Sequence, residues 1–103
     1  MTHYTNNYSW LMGKFSKLME KHQDLGKAVR EAGPIDEKNS QLIQLGAAAA
    51  VKAEGAVHSH VRRALDAGAS PDEIYHAIIL LTSTIGFPSV AAALSWAKDI
   101  IEG

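Results

Sequence analysis

The chain has 103 residues, of which 47% are hydrophobic, and a net charge of −1 with histidine neutral. That length fits one domain, 1–103, with enough apolar material for a core, and a helical layer this small leaves enough surface that self-association is expected. The charge gives no grip on nucleic acid or on an anionic membrane, and the absence of cysteine excludes disulfides, thiolate metal sites and cysteine nucleophiles together.

Tyr8 to His22 carries Leu11, Phe15, Leu18 and Met19 at helical spacing, with Lys14, Lys17 and Lys21 elsewhere, which predicts a first helix. A short second helix is expected over Asp24 to Glu31, stopped at Gly33-Pro34. Asp36 is a plausible cap for the third, because its carboxylate can accept from exposed backbone N–H groups. In that helix Leu42, Leu45, Gly46, Ala49 and Ala53 share one stripe, whose small residues suit a close helix–helix approach. A break is expected at Glu54-Gly55, since glycine costs about 1 kcal/mol against alanine inside a helix. Ala56 to Ala67 then continues helically, and Gly68 suits the left-handed residue beyond a helix end.

Ser70-Pro71-Asp72-Glu73 is the sharpest local signal. Ser70 caps, Pro71 fits the first helical position and Glu73 completes a capping box. Ile74, Ala77, Ile78, Leu81 and Ile85 follow at core spacing. Gly86-Phe87-Pro88 ends that helix and opens the last, whose inner stripe is Val90, Leu94, Ala97 and Ile101. No stretch alternates with period two, so the expected fold is all-α with about five to six helices. The longest apolar stretch, Gly46 to Val51, falls far short of the roughly 20 residues that span a bilayer. Residues 1–7 lack the basic and apolar regions of a signal peptide, and the expected location is cytoplasmic.

From Asp36 onward the pattern resembles the carboxymuconolactone decarboxylase and alkylhydroperoxidase D-like family. Three segments carry the likeness: the capped helix Asp36–Leu45, the joint His60–Ile74 and the turn Gly86–Pro88. Together they cover about two-thirds of the chain in the family's order and spacing. The resemblance implies a helical fold that assembles into homo-oligomers, as dimers, trimers or hexamers. One branch of the family is a thiol reductase with a Cys-x-x-Cys pair, a histidine four residues after the second cysteine and a glutamate on the preceding helix. Counted back from His60, those cysteines fall on Ala53 and Ala56 and the glutamate on Gln41. Alanine cannot attack a peroxide or exchange disulfides, so the resemblance implies the fold and argues against that activity. The decarboxylase branch acts on a carboxylated muconolactone without a cysteine pair and also carries a histidine at the place of His60.

His60 is the first candidate for chemistry, because an imidazole takes or gives a proton near neutral pH and its stripe of Ala53, Ala56 and Ala64 is small. Glu54 and His58, four apart, form an acid–base pair if the helix is unbroken, or an exposed ion pair worth at most about 1 kcal/mol. Gln41 can reach toward His60 and orient it, but an amide shuttles no proton. The candidate catalytic residues are therefore His60, Glu54 and Gln41, and the candidate substrate-binding residues are His58 and Thr84. Thr84 earns its place at the joint before Pro88, where the opening turn of the last helix favours an anion.

His58 and His60 point about 200° apart on a helix, which argues against one shared ion. No metal ligand set is assigned, although a His/Glu site drawn from His58, His60 or His76 with Glu54 stays open as an alternative. Arg62 and Arg63 can clamp a carboxylate or lie on a solvated face. Trp10, Phe15 and Trp96 are expected in the core or an interface. No phosphate loop, dinucleotide fingerprint or nucleophile elbow occurs, so no cofactor is expected. The sequence thus points to a decarboxylase-like protein doing cofactor-free acid–base chemistry on a small carboxylate. The alternatives are a non-catalytic binding or assembly module and a metal-binding protein.

Overall fold

The computed structural model describes the backbone of residues 3–103 and the side chains of residues 7–103; the part of the leader reading that rests on earlier residues lies outside them. Seven helices and no strand occur among the described residues: α1 (His3–Lys14), α2 (Ser16–Arg30), α3 (Glu37–Ala50), α4 (Glu54–Asp66), α5 (Pro71–Ile79), α6 (Thr82–Ile85) and α7 (Phe87–Ile101). No helix among them is long and apolar enough to cross a membrane. The chain divides into two compact units, Met1–Ile35 and Asp36–Gly103.

In the first unit the helix boundary differs from the sequence expectation. The break falls at Phe15, whose backbone (φ −127, ψ 53) leaves the helical region without a side-chain cap. It follows Gly13, whose backbone freedom weakens the end of α1. Beyond it Ser16–Arg30 runs as one helix, because Glu20, Lys21, Gln23, Leu25 and Lys27 are strong helix formers and nothing interrupts them at Asp24. Of the expected apolar stripe only Met19 is buried, while Phe15 and Leu18 are exposed. Trp10 meets Phe15 edge to face with ring centroids 5.8 Å apart, a favourable aromatic geometry.

The second unit starts where the cap signal places it. The Asp36 side chain accepts from the Asn39 N–H at 2.9 Å, satisfying a backbone donor that would otherwise lack a helical partner. The apolar stripes of α3, α4, α5 and α7 then close on a core of Leu45, Val57, Val61, Ile74, Ile78 and Val90, with Ala48, Ala49, Ala64, Ala93 and Ala97 between them. The alanines let the helices approach closely, and each fully buried valine, leucine or isoleucine contributes roughly 1.5–3 kcal/mol. Within this unit α4 packs against both α3 and α7, and α5 also touches both.

Two helix ends share one device. At the end of α4 the Ala69 N–H bonds to Ala64 C=O at 2.9 Å and the Gly68 N–H to Leu65 C=O at 3.0 Å, with Gly68 left-handed at φ 99. This is a Schellman motif. At the end of α3 Ala53 bonds to Ala48 C=O at 3.0 Å and Lys52 to Ala49 C=O at 3.1 Å. The left-handed residue there is Lys52, at φ 58. The break expected at Glu54-Gly55 therefore falls two to three residues earlier, and Gly55 lies inside the first turn of α4. The early stop satisfies the last carbonyls of α3, whereas Gly55 sits where N–H groups need no helical partner and costs little.

The Ser70–Glu73 capping box forms in full, with Pro71 in the first turn. The stripe expected to run unbroken to Ile85 is split, because the Leu81 N–H turns to Ile78 C=O at 3.0 Å and the Thr82 hydroxyl bonds to Ile79 C=O at 2.7 Å. Side-chain capture of a carbonyl is a common way to interrupt a helix. It leaves Leu81 half-buried just before the short α6 and Ile85 half-buried at its end.

Replacing Lys52 with glycine is expected to raise unfolding stability by roughly 1 kcal/mol in denaturant titration, the usual relief when an L-residue leaves a left-handed position. A neutral or destabilising result would contradict the geometry given for this turn. The Ser70 backbone N–H and the Lys38 ammonium, in that order, hold the Glu73 carboxyl below its ordinary value of 4.5. Its stabilising contribution is thus complete above 4.5 and is lost as pH falls through the lower folded value. Glu73→Gln should therefore be less stable than the parent at neutral pH and converge with it in acid, as followed by thermal melts across pH.

Candidate functional site

Helix α4 carries both candidate histidines. Val57, Val61 and Ala64 define its inward stripe and are fully buried. At about 100° per residue His58 and His60 flank that stripe on opposite sides. With α3 packed on one side and α7 on the other, each imidazole meets a different helix.

His60 faces α3. Its Nδ1 lies 2.8 Å from the Gln41 carbonyl oxygen Oε1, and the Gln41 amide nitrogen lies 2.8 Å from Glu37 Oε1. An ionised carboxylate can only accept, so Glu37 accepts a hydrogen bond from the Gln41 amide N–H and fixes which way that amide points. The carbonyl oxygen then faces the imidazole and, being an acceptor, requires a proton on Nδ1. The neutral ring is thereby held as its Nδ1–H tautomer with the lone pair on Nε2. Gln41 is fully buried, His60 half-buried and Glu37 exposed, so the relay runs from solvent through the packed interior to a partly open ring. Helical spacing supplies half of this: Glu37 and Gln41 are one turn apart on α3.

His58 faces α7. Its ring is 1% exposed, and Nε2 lies 3.1 Å from Asp99 Oδ2 and 4.0 Å from Glu54 Oε2. Glu54 stands in the first turn of α4, one turn before His58, and Asp99 in the last two turns of α7. The residues read from sequence thus fall into two groups. His60 and Gln41 meet on one side of α4, and Glu54 and His58 meet on the other. Thr84 joins neither: it is exposed on α6, with its backbone N–H bonded to Leu81 C=O at 2.9 Å. His76 is exposed on α5 and lies outside the Glu54–His58–Asp99 cluster. Arg62 is half-buried and Arg63 exposed.

Two participants escaped the sequence reading. Glu37 was within reach, since a carboxylate one turn before a candidate amide is a recurrent helical pair. Asp99 had no local signal, because 41 positions separate it from His58 and it occupies what reads as the solvated face of the last helix.

The model of the carboxymuconolactone decarboxylase family matches residues 16–99, and the chain belongs to that family. The match takes in both histidines, Gln41, Glu37, Glu54 and Asp99. No curated protein and no solved structure shows significant similarity to the chain. Cysteine is absent, so the protein offers no thiol relay of its own.

Gln41→Leu keeps the volume and removes both polar links. It strips the half-buried His60 Nδ1–H of its amide acceptor, which should cost about 1–3 kcal/mol in urea unfolding. A change below about 0.5 kcal/mol, the ordinary scatter of surface substitutions, would show that the relay contributes nothing to holding the ring.

Proposed function

We propose that this member of the carboxymuconolactone decarboxylase family is a cofactor-free acid–base catalyst acting on a small carboxylated lactone or related acid, with His60 as the proton carrier. The observation that supports the reading most is the Glu37–Gln41–His60 hydrogen-bonded series. It orients the imidazole through Nδ1 and makes Nε2 the atom that takes up and returns a proton. A ring held by a second residue, itself held by a third, is a recurrent arrangement for orienting a general acid–base.

In the reaction proposed, the bond between the substrate's carboxylate and its ring carbon breaks and carbon dioxide leaves. The electron pair passes into the lactone's carbonyl system. The protonated Nε2 of His60 then delivers a proton to carbon, and water restores the proton to the ring. Gln41 is a positioning residue in this scheme. Its amide carries no charge, so it fixes the tautomer and the ring plane and leaves the proton to His60.

Turnover of muconolactone-type acids, followed by carbon dioxide release, tests the reading. His60→Ala should lose about 10²–10⁴-fold in kcat, the range for removal of a general acid–base group. Equal turnover in the two proteins would remove His60 from the mechanism. Saturable binding of the acid by both proteins with turnover by neither would make the chain a binding module.

A further inference from the structure

We propose that Glu54, His58 and Asp99 form a site for a divalent transition-metal ion of the zinc class, bridging the start of α4 to the end of α7. The three side chains each offer one ligand atom, and these atoms lie within 4.8 Å of one another. The site is separate from the His60 relay, on the other flank of α4, and does not depend on the acid–base reading.

The distances suit such an ion. Zinc binds imidazole nitrogen and carboxylate oxygen at about 2.0–2.2 Å, which sets neighbouring tetrahedral ligands about 3.4 Å apart. His58 Nε2 is 3.1 Å from Asp99 Oδ2 and 4.0 Å from Glu54 Oε2, on either side of that value. Glu54 is exposed and needs only a modest side-chain rotation to close the difference. An imidazole in the set selects zinc and its neighbours over magnesium and calcium, which prefer oxygen alone. The two carboxylates match the charge of a divalent ion.

The burial pattern is that of a fixed anchor with mobile arms. His58 is held in the packed interior at 1% exposure, whereas Glu54 and Asp99 are 45% and 53% exposed. An ion can therefore reach Nε2 from solvent and keep a water as its fourth ligand.

Electrostatics supplies an independent reason. Asp99 stands near the C-terminal end of α7, where the helix dipole is negative and a carboxylate is disfavoured. Glu102 follows one turn later. The Asp99 and Glu54 oxygens lie within 4.8 Å of each other and repel, and positive charge between them relieves that repulsion. A divalent ion on Nε2 places two positive charges between the carboxylates.

The test uses the full chain stripped with a chelator and titrated with zinc sulfate alone, by calorimetry and by thermal melting. One zinc per chain and a rise in melting temperature are expected. Asp99→Asn and Glu54→Gln preserve shape at exposed positions, so they keep the fold, which circular dichroism checks. Each should weaken zinc binding by more than about tenfold and abolish most of the thermal shift, while His76→Ala should bind as the parent does. Absence of saturable binding at micromolar zinc would overturn the proposal. So would parental affinity in Asp99→Asn, or loss of binding in His76→Ala instead.

Discussion

The angular offset of two histidines on one trapped helix governs the chemistry open to this protein. Helix α4 is packed against both α3 and α7, and its buried stripe of Val57, Val61 and Ala64 fixes its rotation about its own axis. Once that rotation is set, a two-residue separation sends His58 and His60 to opposite neighbours. The helix cannot turn to bring either ring elsewhere without exposing those valines, at roughly 1.5–3 kcal/mol each. Hydrophobic packing thus decides which polar groups meet: His60 finds an amide and His58 finds carboxylates. The two rings share a helix and a residue type, and their surroundings give them different chemistry.

The amide partner of His60 has consequences of its own. Gln41 accepts from the ring and donates to Glu37, so one buried side chain satisfies two polar neighbours in opposite senses. An amide does both, because its carbonyl oxygen accepts while its NH2 donates. A glutamate at this place would set two carboxylates one turn apart on α3, a destabilising pairing. Gln41 and Glu37 are in this sense one unit. The charge stays exposed on Glu37, and its orienting effect is passed inward without a buried ion.

Much of the second unit was legible because its signals are local. Asp36, Gly68 and the Ser70–Glu73 box each act within four residues of themselves, and the structure places a cap or a left-handed turn at each. The stripes of α3 and α7 were readable for the same reason. What escaped depends on competition between distant or nearly equal terms. Lys52 takes a left-handed turn that side-chain identity assigns to glycine, because closing the last carbonyls of α3 outweighs the backbone strain. The split between α5 and α6 turns on one threonine hydroxyl capturing a carbonyl. The placement of Gln41 beside His60 was implied by the family resemblance, whereas Asp99 reaches His58 only through the packing of α7 on α4, which no window of sequence contains.

The start of α4 holds an anion in a chain that has no thiol. The positions that the family resemblance assigns to the cysteine pair of the thiol-reductase branch are Ala53, which precedes the first turn of α4, and Ala56 within it. A helix N-terminus stabilises negative charge, and this is one way a protein lowers the pKa of a thiol to make a nucleophile. Alanine removes the nucleophile and leaves the field intact. Glu54 now stands in that field, in the first turn and one turn ahead of His58. The positive end of α4 therefore still has an anion to hold. It is a carboxylate, which serves as a base, an ion-pair partner or a metal ligand but does not exchange disulfides. The same backbone electrostatics that suit a thiolate thus favour a proton- or cation-handling group where no sulfur is present, on the helix that Val57 and Val61 bury in the core.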